Sequence, residues 1–393
     1  MDIANTIKTR LQRTPLIVWL VAACAVVACG GYFAWATDAD DGKSAEVRLV
    51  AANADAENVA REEALRNERA EASLRAVDAA LKEFPPAPTL TDGRSSALTA
   101  LDAILHEADA AQLPAVQAFF HRRVDAAVEE MRHAQVRSGA TVWQIYNHGF
   151  VVRTQSATLC FDLVRAKYLR RFALSEQTML RIVRACDVLF VSHVHADHAE
   201  SFVAQAFVDR GKPVVAPEQV GYSDPLYAKI TQFEPSVTAV RTLPVRDGSV
   251  NLRIVVFPGH QGDDIDNNVV LVTTPEGISV VHTGDQWNRF SDFEWIDNAA
   301  QRFQVDILLP NDWAYDLARM VRGFRPSLVI PGHANEMGHE VEKRQPYRLS
   351  YQRKQGSDRL GGSSLTGYDE PMLVMAWGES YHYERARADT ARR

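Results

Sequence analysis

Four short apolar runs in this chain each break at a turn and deliver a metal-ligating side chain. CDVLFVS leads into His193, His195, Asp197 and His198; NLRIVVFPGH ends on His260; GISVVHTGD ends on Asp285; PSLVIPGH ends on His333. Runs of four to eight apolar residues bounded by turn signals read as buried strands. Glycine before the last three ligand-type residues lets the backbone turn sharply and approach closely, as a strand-end loop needs. Extended residues two apart point to one side, so His193 and His195 can reach one ion while Asp197 and His198 turn toward a second. Any one of these histidines alone is more often an ordinary core or surface residue. The set of seven, at four strand ends, demands a sheet-rich domain whose strand ends meet at one edge.

The surrounding texture fits that demand. After Gly139, TVWQIYN, HGFVVRT and ATLCFDLV read as opening strands, and helical and strand-like stretches then alternate through KPVVAP, NNVVLVTT and VDILLP, with a helix around Asp316 to Arg322. This order predicts mixed α/β sheets with helices packed outside. QPYRLSYQRKQGSDRLGGSSLTGYDEP is expected as a long loop beside the site, in which Arg344, Arg348 and Arg353 are either surface residues or contacts for an anionic group. MLVMAW is expected as the last strand. Cys160 and Cys186, in apolar runs without CxxC spacing, read as buried thiols.

The chain of 393 residues exceeds what one typical core needs, so an attached region is expected. Its net charge of -7, with no long basic run beyond the first residues, excludes nucleic acid as the first partner to consider. The run Leu16–Ala36 carries no charge, follows Lys8, Arg10 and Arg13, and is long enough to span a bilayer. It is read as a targeting segment with the amino terminus cytoplasmic and the remainder across the membrane in the cell envelope. It can stay as an anchor, be cleaved after Ala36, or be lipidated at Cys29. Three helices are expected next, over 44–84, 95–111 and 114–137, as a spacer, stalk or dimerising element. The expected organisation is a cytoplasmic segment 1–14, a signal or anchor 15–36, a helical region 37–138, a catalytic domain 139–383 and a charged tail 384–393.

From about Val142 to His333 the chain resembles the metallo-β-lactamase superfamily, on the motifs SHVHADH, PGH, TGD and PGH. The resemblance implies an αββα sandwich, a first metal held by His193, His195 and His260, a second by Asp197, His198 and His333, and Asp285 as the bridge. Imidazole and carboxylate ligands suit zinc, and also manganese or iron. Flavodiiron reductases of this fold place Glu where His195 stands, so the resemblance favours hydrolysis by a metal-bridging hydroxide. His148-Gly149-Phe150 followed by FDLV is similar to the branch of ascorbate-6-phosphate lactonases and N-acyl-phosphatidylethanolamine-hydrolysing phospholipase D. The function expected is a membrane-tethered hydrolase of a phosphodiester, lactone or lipid-derived ester. The alternatives are an envelope scaffold with a structural metal site and a mononuclear iron dioxygenase.

Other residues carry weaker expectations. His148 is a proton donor to a leaving group if its loop reaches the metals, and otherwise a turn histidine. His339 is the reserve ligand for His333, and His282 a strand residue. Asp263, Asp264 and Asp266 either orient imidazoles or form a solvated loop. Trp287, Phe290, Phe293 and Trp295 either line a substrate mouth or join the core.

Overall fold

Side-chain alternation along the strands sorts the interior into two cores. In β1 (Ala140–Gln144), β2 (Phe150–Arg153) and β3 (Thr158–Phe161), Val142, Phe150, Val152, Leu159 and Phe161 enter one apolar cluster. Their neighbours Trp143, Val151 and Cys160 point the opposite way into a second. The first cluster also receives Leu252, Ile254 and Val256 of β7 (Val250–Gln261), Val270 and Val272 of β8 (Ile265–Thr273) and Val280 of β9 (Ser279–His282). It is therefore the layer between two sheets, because the period of a strand is two.

The computed structural model describes residues 41–221, 223–356 and 367–385, with side chains from residue 55 onward. The remaining strands are β4 (Val188–Phe190), β5 (Val214–Val215), β6 (Arg241–Val245), β10 (Ile307–Leu309), β11 (Leu328–Val329) and β12 (Ser380–Tyr383). One six-stranded sheet has the order β12-β1-β2-β3-β4-β5 and the other β11-β10-β9-β8-β7-β6. Pairing is antiparallel except along β3-β4-β5 and β9-β10-β11, so the ends of β4, β9, β10 and β11 carry the crossover turns. Backbone bonds from Asn268 to Ser192 (2.8 Å) and from His333 to Asn147 (3.0 Å) tie the two sheets together at that edge. Helices cover the outer faces, and the α/β sandwich expected from the sequence is the architecture observed.

Two compact units divide the chain, Met1–Arg66 and Asn67–Arg393. A continuous helix α1 (Asp41–Glu83) crosses this boundary. In the first unit its side chains from residue 55 to 65 are exposed, the solvated surface that its Ala, Glu and Arg content predicts. In the second unit Leu74, Val77 and Leu81 are buried, with α2 (Asp92–Leu105) and α3 (Pro114–His133), in the same apolar cluster as Trp143 and Trp377. Thr91 caps α2 by accepting from Arg94 N, and Arg94 makes a buried ion pair with Glu379 near the carboxyl end.

Residues 67–133 form one wall of the same unit, because Val116, Phe119, Phe120, Val124 and Met131 need the outer face of the first sheet to leave water.

Other expectations also shift. Cys160 and Cys186 form a disulfide with a Cα separation of 6.3 Å, since β3 and the turn into β4 run side by side. MLVMAW makes only a bridge from Met372 to Val329, and the closing strand is Ser380–Tyr383, within GESYHYE. In the segment expected as a loop, Tyr347–Lys354 is a helix. Arg344 bonds the carbonyls of Leu105, Glu107 and His339, and Arg353 bonds the carbonyl of Asp312, so both are structural; Arg348 is exposed. In the charged tail, Arg385 pairs with Asp306. No helix among the described residues is long and apolar enough to cross a membrane. The run Leu16–Ala36 lies outside the described residues.

Candidate metal centre

The ligand-type residues converge where the crossover turns meet. Asp197, His198, Asp285 and His333 each place a ligand atom within 4.8 Å of the others, and His193, His195 and Asp285 do the same. Asp285 is common to both groups. Five of the seven residues expected as ligands are therefore gathered around a sixth, Asp285, and His260 belongs to neither group. His333 rather than His339 takes the place; the His339 ring stacks on His333 with centroids 5.6 Å apart.

Glycine is required where the turns are tightest. Gly284 has φ 52°, and a Cβ there would lie 2.2 Å from Asn267 Oδ1 and 2.3 Å from Ser192 Cβ. Gly332 has no unusual φ but lies so close to His148 that a Cβ would meet its Cδ2 at 2.3 Å. The first is a conformational need, the second one of space. His333 itself adopts φ 71° and Asn147 φ 51°, unfavourable for residues with a Cβ and held here by packing.

The tautomers of the imidazoles follow from their hydrogen bonds. The Asp162 carboxylate, fully buried, accepts from Ser192 N (2.7 Å), from Ser192 Oγ (2.6 Å) and from His198 Nδ1 (2.7 Å). Because Ser192 Oγ gives its proton to Asp162, it accepts from His193 Nδ1 at 2.9 Å. Asp292 Oδ1 accepts from His260 Nδ1 at 2.9 Å. All three rings thus hold a proton on Nδ1 and turn Nε2 outward, the nitrogen that would serve as a ligand. A third group of ligand types, His148, Asp162 and His198, is a supporting network, since the Asp162 oxygens already hold three donors.

Amide side chains hold the carboxylates. Asp285 accepts from Gln261 Nε2 (2.9 Å) and Asn311 Nδ2 (3.2 Å), and Asp197 from Asn147 Nδ2 (2.9 Å). Asp162, Asp292, Gln261, Asn311 and Asn147 are functional neighbours that the sequence reading missed. The acidic residues it did name stand elsewhere: Asp263 is exposed and pairs with Arg289 at 3.1 Å. The signal that could have found Asp162 was FDLV, where an acidic residue follows a buried strand.

The chemistry of this donor set fits a cation. Nε2 of His193, His198 and His333 is buried without a hydrogen-bond partner. Such atoms cost about 1–3 kcal/mol each unless something satisfies them. Without a cation the carboxylates draw protons onto two of the imidazoles. Burial opposes protonation of His333, yet the Asp285 and Asp197 carboxylates outweigh it and push its pKa up to about 10. His198 is raised well above the usual imidazole range by the same contest, with Asp285, Asp197 and Asp162 prevailing over burial. Burial and neighbouring His198 drive His193 down to about 3. Both carboxylates stay well below their ordinary range, the imidazoles prevailing over burial.

His148, expected as a proton donor, does not reach this space. It is fully buried, its Nε2 donates to the Leu309 carbonyl at 3.2 Å, and burial beside His282 holds its pKa well down. The alternative turn reading describes it. His282 is the last residue of β9, bonded to the His148 carbonyl and stacked on Phe161. Of the aromatics after Asp285, Trp295 is core, stacked on Phe257, whereas Trp287 and Phe290 are exposed.

No family model matches the chain, and no curated protein matches it. Solved structures do. A metallo hydrolase, Igni18, from Ignicoccus hospitalis is 17% identical with a TM-score of 0.45, covering 63% of this chain and all of its own. An isothiocyanate hydrolase from Delia radicum gut bacteria is 14% identical with a TM-score of 0.43, covering 62% of this chain and 99% of its own. The diiron β-hydroxylase CmlA of Streptomyces venezuelae is 12% identical with a TM-score of 0.40, covering 63% of this chain and 55% of its own.

Proposed function

We propose that this chain is a metal-dependent hydrolase of the metallo-β-lactamase type, acting on a phosphodiester, lactone or lipid-derived ester. The observation that carries the reading is the convergence of Asp197, His198, Asp285 and His333, with buried imidazole nitrogens that make no well-formed hydrogen bond and lie 3.2–3.4 Å from the two carboxylates. In this reading His193 and His195 would hold a first divalent cation and Asp197, His198 and His333 a second, with Asp285, common to both groups, available to each; zinc is the expected ion. The assignment of His260 to the first cation rests on the sequence resemblance, and its ring is held by Asp292 with Nε2 free.

Cations bound by these residues would supply hydroxide from water near neutral pH, at a pKa of roughly 7, and electrophilic help to a carbonyl or phosphoryl oxygen. The protein's own part is preorganisation. Asp162 and Ser192 fix the tautomers of His198 and His193, so both rings present Nε2 without reorganising. Gln261, Asn311 and Asn147 occupy carboxylate lone pairs, which restricts the remaining oxygen positions to the cations. His195, exposed at the rim, marks the side from which substrate arrives.

The proposed location is the outer side of a membrane, tethered through Leu16–Ala36. The Cys160–Cys186 disulfide supports it, because such bonds persist in oxidising compartments and are rare in the cytosol.

The test is metal content and turnover of the full-length protein across phosphodiesters, lactones and acyl esters. His195→Ala and Asp197→Ala are each expected to lose bound metal and activity together. A protein loaded with two ions that hydrolyses nothing on a panel where a control enzyme works would overturn the reading.

A further inference from the structure

His333 differs from the other imidazoles of the metal centre in what holds its ring. Side chains orient His193, His198 and His260 through Nδ1, whereas Nδ1 of His333 is buried and has no hydrogen-bond partner among the described residues. Ligand histidines are ordinarily aimed by a partner on the second ring nitrogen. The aim of His333 must therefore come from its backbone and its packing.

That backbone is strained. His333 has φ 71° and Asn335 φ 52°, and residues with a Cβ keep such angles only where neighbouring contacts impose them. His333 N donates to the Asn147 carbonyl at 3.0 Å, and Asn335 N to the Gln345 carbonyl at 2.8 Å. A further fixed point comes from a distant part of the sequence. Asp102, on α2, is 4% exposed, and its Oδ1 accepts from Asn335 Nδ2 at 2.9 Å.

The same carboxylate is itself anchored. Oδ1 accepts from Tyr347 N at 2.8 Å and Oδ2 from Arg348 N at 3.2 Å, the first residues of the helix Tyr347–Lys354. Free N–H groups at a helix start attract a carboxylate, and an ionised acceptor holds a donor about twice as strongly as a neutral one. Arg344 makes a second tie, from the carbonyls of Leu105 (2.8 Å) and Glu107 (3.1 Å) at the end of α2 to the carbonyl of His339 (3.0 Å). The stretch that follows His333 is thus gripped from α2 at Asn335 and again at His339.

We propose that Asp102 is a positioning residue for the metal centre, fixing from the amino-terminal helices the backbone that aims His333. The inference rests on the assignment of His333 to a cation, and its readout is ion binding rather than turnover. Full-length protein is titrated with zinc against a chelator of known affinity. Two variants remove the tie: Asp102→Ala, and Asn335→Gly, which keeps φ 52° without strain and deletes only the side chain bonded to Asp102. Each should weaken binding of one of the two zinc ions about tenfold and leave the other, held through His193 and His195, within twofold of wild type. Glu379→Ala is the comparison. It breaks a different buried bond of α2, the pair with Arg94, and lowers stability, yet should leave both ions within twofold. Should Asp102→Ala not fold, Asn335→Gly decides alone. Zinc affinity within twofold of wild type in the folded variants, or an equal loss of both ions in all three, overturns the proposal. Protein that shows the selective loss but hydrolyses no ester leaves Asp102 in this role and sinks the hydrolase reading alone; wild type that takes up no zinc overturns both.

Discussion

Replacing Asp162 by Asn changes one atom type in a fully buried network and should weaken binding at the metal centre. The carboxylate accepts three hydrogen bonds, two from Ser192 and one from His198 Nδ1 at 2.7 Å. An amide of the same shape keeps one acceptor oxygen: an NH2 in the Oδ1 place meets the Ser192 backbone N–H, which cannot give up its proton, so the NH2 takes the Oδ2 place and faces the Ser192 hydroxyl and the His198 N–H together, donor against donor. His198 relieves the clash by moving its proton to Nε2. That nitrogen lies 3.2 Å from Asp197 Oδ2 and 3.3 Å from Asp285 Oδ1, and once protonated it offers no lone pair to a cation. Loss of such an orienting partner costs roughly 10–100-fold in metal affinity, about 1.4–2.7 kcal/mol. Competition with a chelator reads it, with Asp263→Asn, an exposed acidic residue, as the comparison expected to bind as wild type does. A folded Asp162→Asn protein with affinity within twofold of wild type would refute the tautomer argument.

In the metal-free protein His333 keeps its proton until about pH 10, and His198 is raised too. Cation uptake at pH 8 should then expel about two protons, with affinity still rising toward pH 10; calorimetry in buffers of different ionisation heat that finds no release contradicts this. By linkage, the stabilisation from protonated His333 in metal-free protein is full below its unfolded pKa and lost as pH rises through about 10. Replacing Cys160 and Cys186 by Ala opens a disulfide across 26 residues and should cost roughly 3–4 kcal/mol in urea unfolding; an unchanged midpoint would show that the bond does not constrain the unfolded chain. Glu379→Ala leaves Arg94 buried beside an empty place, and a loss of about 3–5 kcal/mol is expected, detectable as a lowered midpoint of thermal unfolding.

Much of the sandwich was legible because its signals are local. Strand period two, the glycines before His260, Asp285 and His333, and the proline that opens α3 all act within a few residues of where they are read. The supporting side chains were not legible in that way. Asp162 and His198 are 36 positions apart, Gln261 and Asp285 24, and Asn311 and Asp285 26, and nothing in the spacing indicates that they meet.

By itself the sequence determined the kinds of donor available, the strand ends that carry them, and the helical character of residues 41–133. Tertiary structure decided which donors share a site. It separated His333 from His339, placed Asp292 rather than Asp263 on His260, and joined two cysteines that read as separate thiols. It also placed residues 67–133 in the same compact unit as the two sheets. The reason is that period and turn chemistry act along the chain, whereas burial, tautomer and pairing depend on which surfaces pack together, and packing is settled only when both sheets and their helices close on one core.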